Sequence, residues 1–184
     1  MPAGVDRLSL LGQVTALLRE RGVAFALVGA GAMAVHGVSR ATRDLDLLVT
    51  STACLDPAIW APLEHGGARV HIRRGDADDP LAGALRITAA GESPVDLVVG
   101  RSGWQADAIA RATVRTIEGL AVPVVTASDL ILLKLYAGGP QDAWDVEQLL
   151  DSEDRAALVA SVGAALALLP GDSRRLWARI VGPR

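Results

Sequence analysis

The segment from residue 23 to residue 49 most constrains how this chain can fold. Residues 23–28 form a short apolar run bounded by glycines, which predicts a buried strand. Residues 29–31, Gly-Ala-Gly, predict a turn, and the helix-prone residues 32–36 follow it. Residues 44–49 alternate as Asp-Leu-Asp-Leu and then become fully apolar, which predicts a second strand that is polar on one face at its start.

The rest of the chain mixes strands and helices up to about residue 126 and is helical afterwards. Strand-like runs at 68–72, 85–89, 94–99 and 113–125 alternate with predicted helices, and residues 73–83 are charged and rich in Gly, Asp and Pro, which indicates a loop. After residue 126 we expect helices over 129–136, capped by Ser128, over 141–150, from a Ser152 cap to Leu169, and over 172–180. The pattern predicts an α+β (mixed α/β) fold, in which a core of residues 1–125 holds a mixed β-sheet flanked by helices. Residues 126–184 would form a C-terminal helical bundle packed on that core.

Composition narrows the functional classes. The net charge is −3, which argues against broad, sequence-independent nucleic-acid binding, and no DNA partner is expected. The single Cys54 excludes an internal disulfide and a cysteine zinc site. No signal peptide is visible, and the longest apolar stretch, residues 156–169, is too short for a bilayer and predicts a buried helix. We therefore expect a cytoplasmic protein with no membrane partner.

Three aspartates are the best candidates for chemistry. Asp44 and Asp46 stand at i and i+2 of a predicted strand, so their side chains project to the same face. Two adjacent carboxylates repel each other unless a cation lies between them, and Mg²⁺ is the simplest candidate. Asp96 lies alone inside the apolar strand 94–99, where a charge is costly unless it is paired or metal-bound. If that strand lies beside the first one, Asp96 completes a two-metal site.

The glycine turn before the short helix is the candidate phosphate site. Backbone N–H groups at the start of a helix are unpaired and point outward, which suits an anion. Gly29, Ala30 and Gly31 are therefore predicted to bind the phosphates of a nucleotide. Neither the glycine turn nor the Asp-x-Asp pattern is specific alone, but the two in this order are.

This combination resembles the signature of the polymerase-β-type nucleotidyltransferase superfamily, in which a glycine turn is followed by Asp-x-Asp on a strand and by a third Asp on a later strand. More narrowly, Val28 to Val49, with His36-Gly37, Arg40, Thr42, Asp44 and Asp46, resembles the small bacterial nucleotidyltransferases grouped with abortive-infection and type IV toxin–antitoxin toxins. The resemblance implies two Mg²⁺ ions, an NTP substrate and transfer of NMP to an acceptor hydroxyl. The acceptor would be a tRNA 3′ end or a protein, and a cognate antitoxin is a possible partner.

A second motif agrees with that resemblance. Residues 129–150 contain Lys134, the only Lys beside 17 Arg, followed by Asp142 and Asp145. The resemblance places Lys134 near the triphosphate, where a point charge suits it, whereas the alternative is a surface Lys on an amphipathic helix. Asp142 would position Lys134 or the acceptor, and Asp145 would cap or pair structurally.

Some residues depart from the family pattern or have competing interpretations. Ala30 stands where relatives carry Gly or Ser, so a hydroxyl contact to phosphate is lost, and Gly139 stands where many carry Arg. Arg40 is a candidate to hold phosphate or to neutralise the carboxylates, and it is preferred to Arg43, which alternation points to the other face. His36 is expected to cap a helix end.

The tryptophans Trp144 and Trp177 lie on apolar helix faces and are expected in the core. A small-molecule nucleotidyltransferase of the antibiotic-modifying type remains an alternative, and so does a non-catalytic protein of the same fold that binds a nucleotide or a partner.

Overall fold

A computed structural model describes residues 8–39 and 44–182, and within these residues the chain forms seven β-strands and eight α-helices. The strands are β1 Phe25–Val28, β2 Leu45–Val49, β3 Arg69–Arg74, β4 Leu81–Thr88, β5 Val95–Gly100, β6 Thr113–Ile117 and β7 Leu120–Val124. The helices are α1 Leu10–Glu20, α2 Gly29–Val35, α3 Pro57–His65, α4 Gly103–Ala110, α5 Ala127–Ala137, α6 Pro140–Ser152, α7 Arg155–Ala165 and α8 Gly171–Val181. None of the helices in these two ranges is long and apolar enough to span a membrane.

The strands form one mixed sheet in the order β3-β4-β5-β2-β1-β7-β6. β2 pairs in parallel with β5 and β1 with β7, whereas the other neighbours are antiparallel. Helix α2 packs against β1 and β2, and α5 packs against α2, α6, α7 and α8. The predicted fold class, a mixed sheet flanked by helices with a C-terminal helical bundle, is confirmed.

The centre of the sheet is its most buried part. All four residues of β1 are buried, as are Leu45 and residues 47–49 of β2. These strands carry Val, Leu, Ala and Phe because both faces of a central strand lie in the core. Asp46 is the one polar residue of β2, and it is only partly buried.

The loop predicted at residues 73–83 is confirmed only in its middle, and both of its ends are strand. β3 continues through Arg74 and β4 begins at Leu81, with Arg73 opposite Ala84 and Arg74 opposite Gly83. The charged residues mislead because β3 is an edge strand whose alternate side chains face solvent. Only residues 75–80 connect the two strands.

Two predicted helix caps are also wrong. The N-cap of α5 is Thr126, whose hydroxyl accepts a hydrogen bond from the Asp129 amide at 3.2 Å. The N-cap of α7 is Asp154, whose carboxylate accepts from the Ala157 amide at 3.1 Å. Each segment contains several closely spaced residues whose side chains can cap a helix, so sequence alone does not select one of them.

The expectation that residues 156–169 form one buried helix is also incorrect. Helix α7 ends at Ala165 and a short 3-10 helix, Leu166–Leu168, follows it. Within α7 only Leu158 and Val162 are buried. Alanine is often exposed on helices, so the number of apolar residues in this segment overestimates how much of the helix is buried.

The two tryptophans differ in burial. Trp177 is buried as expected, but the prediction for Trp144 is wrong, since this residue is 45% exposed. Its neighbour Asp145 occupies the inward face of α6. Because adjacent residues on a helix point about 100° apart, Trp144 is turned towards solvent.

Candidate functional site

Asp46 and Asp96 are register partners on the parallel strands β2 and β5. Register partners on adjacent strands share a face of the sheet, so the two carboxylates lie side by side. Asp44 immediately precedes β2 and lies two residues from Asp46, while the intervening Leu45 points into the core. The structure therefore brings together the three aspartates that the sequence singled out.

Gly29 lies directly against the Asp46 carboxylate. It has a φ of +61°, and a Cβ built on it would clash with Oδ2 of Asp46 and lie 2.7 Å from its Cγ. Any larger residue would displace the carboxylate, so only glycine lets the chain pass this closely. Residues 29–31, predicted as a turn, are instead the first turn of α2.

The other two residues of that predicted phosphate turn face inwards. Ala30 is buried, and a Cβ on Gly31 would lie 3.3 Å from Leu27 and 3.5 Å from Leu45. Gly31 therefore allows α2 to pack closely on the two central strands. The structure places Gly29 beside the carboxylates and uses Gly31 for packing.

Arg86 is a site residue that the sequence reasoning missed. On β4 it stands opposite Asp96, and its Nη1 donates to Asp96 Oδ2 at 2.8 Å while its Nη2 donates to Asp44 Oδ2 at 2.9 Å. A signal for it exists in the sequence. The strands predicted at 85–89 and 94–99 are separated only by residues 90–93, Ala-Gly-Glu-Ser, and folding the chain about Gly91 places Arg86 opposite Asp96.

The electrostatics of Arg86 and Asp96 follow from these contacts. The hydrogen bond to Asp44 and the charges of Asp96, Asp44 and Asp46 raise the pKa of Arg86 further above its ordinary value. The pKa of Asp96 is raised because its burial outweighs the stabilising charge of Arg86, with Asp44 adding repulsion. Arg40, the sequence candidate for neutralising the carboxylates, and Arg43 lie outside the described residues.

A second cluster surrounds Lys134 on α5. Its Nζ lies 3.0 Å from Oδ1 of Asp142 and 2.6 Å from Oδ2 of Asp145, both on α6. Asp142 also accepts a hydrogen bond from the Gly139 amide at 3.1 Å, and Gln141 donates to Asp145 at 3.2 Å. The Lys134 side chain is only 13% exposed, so the alternative of a surface lysine does not apply.

The two clusters open into adjoining cavities that share Asp46. A cavity of about 340 Å³ is lined by Gly29, Asp46, Lys134 and Asp142, among others. A second cavity, of about 580 Å³, is lined by Asp46, Asp96 and Arg86 together with residues of β3 and β4. The space on the α2 and α5 side thus meets the space on the β4 side at the carboxylates.

His36 has the structural role expected from the sequence. It ends α2, its Nε2 lies 2.9 Å from the carbonyl oxygen of Val125, and its Nδ1 lies 2.8 Å from Oε1 of Glu153. These contacts tie α2 to the segment before α5 and to the end of α6. No role in chemistry is needed to explain this histidine.

The fit of the site to Mg²⁺ is decided by its donors. Three carboxylates on one face supply the hard oxygen ligands that Mg²⁺ prefers. In this conformation, however, the described residues contain no group of three or more His, Cys, Asp or Glu side chains arranged to hold a metal ion. The Arg86 guanidinium bridges Asp44 and Asp96 where a cation would be expected. The three carboxylates therefore fit Mg²⁺ once the Arg86 side chain moves away from Asp44 and Asp96.

The comparisons with known proteins bear on the fold. No family model and no curated protein matches this sequence. The structure is similar to that of the antibiotic-resistance factor ANT(2″)-Ia, with a TM-score of 0.55 and 18% identity over 86% of this chain and 90% of the other. It is also similar to a protein of Thermotoga maritima that is provisionally assigned as a nucleotidyltransferase, with a TM-score of 0.51 and 13% identity over 82% of this chain and 100% of the other. The architecture is thus the one found in nucleotidyltransferases.

Proposed function

We propose that this protein is a nucleotidyltransferase that moves a nucleoside monophosphate from an NTP to an acceptor hydroxyl and releases pyrophosphate. One observation carries the proposal: Asp46 and Asp96 are paired across β2 and β5, and Asp44 precedes Asp46 on the same face. Their neighbour Gly29 forms the start of α2. This carboxylate set, on a fold shared with nucleotidyltransferases, suits transfer at a phosphorus atom.

The three aspartates would divide the work. Asp44 and Asp46 would hold two Mg²⁺ ions, and Asp96 would hold one of them. When bound, the ions would lower the pKa of the attacking hydroxyl and neutralise charge on the triphosphate. Asp96 would take the proton of the acceptor hydroxyl.

Lys134 and the start of α2 would bind the nucleotide. The Lys134 ammonium lines the same cavity as Gly29 and Asp46, where it would pair with phosphate oxygens. Asp142 and Asp145 fix its position from α6. Residues 29–31 and Arg40 remain predicted phosphate contacts. We further propose that residues 1–125 form the catalytic core and that residues 126–184 form a helical region contributing Lys134.

The candidate functions differ in the molecule that accepts the nucleotide. The motif resemblance favours a toxin-like enzyme, with an RNA or protein acceptor in the cytoplasm and a cognate antitoxin. The similarity to ANT(2″)-Ia, an antibiotic-resistance factor, favours a small-molecule acceptor as the second candidate.

The direct test is nucleotide transfer. The protein is incubated with each α-labelled NTP, Mg²⁺ and separate pools of RNA, protein and small molecules. We expect label in one pool and pyrophosphate release, both lost in Asp46→Asn and kept in Asp107→Asn, which removes an exposed carboxylate from α4. Binding of NTP without transfer or pyrophosphate release in any pool would overturn the proposal.

A further inference from the structure

A row of ionisable side chains crosses four strands of the sheet and continues past the carboxylates. His71 on β3 is the register partner of Arg86 on β4, Arg86 is the partner of Asp96, and Asp96 is the partner of Asp46. Partners in neighbouring strands share a face, so these four side chains lie on the same side of the sheet. The row leads from Asp46 outwards to the edge strand β3.

Two arginines flank the outer end of this row. Arg69 and Arg73 lie two residues before and after His71, so strand alternation places them on the same face as His71. All three are exposed, and among the described residues no ion pair includes Arg69, His71 or Arg73. We call these three residues the basic strip.

The basic strip faces an open surface. Its register partners on β4 are Thr88, Arg86 and Ala84. The side chains of Thr88 and Ala84 are small, so they do not cover the neighbouring arginines. On the other face of β3, Val70 and Ile72 pack against the core. His71 and Arg73 line the same 580 Å³ cavity as Arg86 and Asp96. The strip is therefore continuous with the carboxylates.

The charge of this surface is local. The whole chain carries a net charge of −3, so the strip does not reflect a generally basic protein. The nearby acidic residues of the connection 75–80 are engaged in their own turn: Asp79 accepts from the Asp76 amide, and Asp76 accepts from the amides of Asp78 and Asp79. An anion along β3 would thus meet three basic side chains and end at this acidic turn.

The two sides of Asp46 suit different substrates. Gly29 and Lys134 lie on one side and would take the nucleotide, whereas Asp96, Arg86 and the basic strip lie on the other. The acceptor must approach Asp96 from the second side, because this carboxylate takes the proton of the acceptor hydroxyl. A polycationic small molecule would be repelled there, and a chain of phosphates would be attracted.

We propose that Arg69, His71 and Arg73 bind the phosphodiester backbone of a single-stranded nucleic acid whose 3′ hydroxyl reaches Asp96. This inference rests on the proposed nucleotidyl transfer. Alternate side chains of a strand are about 6.8 Å apart, which is comparable to the spacing of successive phosphates in an extended strand. In the reaction, the 3′ oxygen bonds to the α-phosphorus, the bond to pyrophosphate breaks, and the hydroxyl proton passes to Asp96.

The test measures the binding of a labelled single-stranded RNA decamer to the full chain. The readout is fluorescence anisotropy at several salt concentrations. In Arg69→Ala/Arg73→Ala we expect affinity at least about tenfold lower and a salt dependence shallower by about 1.4, for two lost phosphate contacts. The matched control is Arg21→Ala/Arg115→Ala, which removes two exposed charges, one of them on the opposite edge strand β6. We expect it to stay within about twofold of the unaltered protein. Single-stranded DNA of the same sequence and duplex RNA are the further arms, and they show which phosphodiester chain is preferred.

Several outcomes would overturn the inference. These are absence of RNA and DNA binding, equal losses in the two double variants, and transfer to a protein or small molecule that is unaffected by Arg69→Ala/Arg73→Ala. In the last case the proposed function stands and only the acceptor assignment fails. A different result is RNA binding that depends on the basic strip in a protein that transfers no nucleotide. That result would contradict the proposed function, and the basic strip would still be a nucleic-acid-binding surface.

Discussion

Lys134 Nζ lies 2.6 Å from Oδ2 of Asp145, whose side chain is fully buried. This pair joins α5 to α6 and holds the ammonium beside the cavity that contains Gly29 and Asp46. Asp142, the second partner of Lys134, is 21% exposed and also caps the start of α6. The cluster therefore stabilises the helical region and presents a positive charge to the proposed nucleotide site.

Lys134→Met should lower the free energy of unfolding by about 3 kcal/mol, because it leaves the Asp145 carboxylate buried without its cation. Urea denaturation measures the change. Adding Asp145→Asn to Lys134→Met removes the buried negative charge as well, and we expect the double variant to be the more stable of the two. If Lys134→Met alone is as stable as the unaltered protein, the pair contributes nothing to the fold.

Gly29→Ala should abolish at least about 99% of transfer, since its Cβ would push the Asp46 carboxylate out of place. The matched control is Gly22→Ala. Gly22 has a φ of +65°, close to that of Gly29, but its Cβ would meet nothing within 4 Å. Both variants should lose about 1 to 2 kcal/mol of stability through backbone strain, and only Gly29→Ala should lose activity. Equal activity in the two variants would contradict the close approach to Asp46.

Arg86→Gln should tighten Mg²⁺ binding by up to about fivefold, because the guanidinium no longer competes for Asp44 and Asp96. The gain is small because water screens an ion pair as exposed as this one. The readout is the rise of the melting temperature with Mg²⁺ concentration, which needs no substrate. Arg115→Gln, on the opposite edge strand, should bind Mg²⁺ like the unaltered protein. Weaker or unchanged Mg²⁺ binding in Arg86→Gln would show that Arg86 does not occupy a cation position.

The Cys54 thiol should be unreactive in the folded protein. It is fully buried, and burial raises its pKa from 9.0 to about 11. Because the folded state keeps this proton more tightly than the unfolded state, the associated stability is present below pH 9 and is lost as the pH rises towards 11. The loss amounts to about 2 to 3 kcal/mol.

Two measurements check these statements about Cys54. Thiol titration with a disulfide reagent should be slow at pH 8 and complete after unfolding in urea. Between pH 9 and pH 11, Cys54→Ala should lose less stability than the unaltered protein. Fast labelling of the native thiol would contradict the burial of Cys54.

The sequence predicted the parts of the site that depend on neighbours along the chain. Asp44 and Asp46 share a face because strand alternation has a period of two, and Asp96 stands out because it is alone in an apolar strand. Arg86 was missed because it gains its meaning only from pairing across a hairpin. The burial of Trp144 and of residues 156–169 was predicted wrongly. The amino-acid types show which residues are apolar, but they do not show which side of a helix faces the core.

By itself, the sequence determined the mixed sheet with its helical region and the three carboxylates, because hydrophobic period and strand alternation are local properties of the chain. Only the tertiary structure decided that β5 lies beside β2, that Arg86 bridges Asp44 and Asp96, and that Lys134 is held by Asp145. It also decided that Arg69, His71 and Arg73 lie on the same face as the carboxylates. These relationships join residues far apart in the chain, and they arise from strand order and register, which no local pattern specifies.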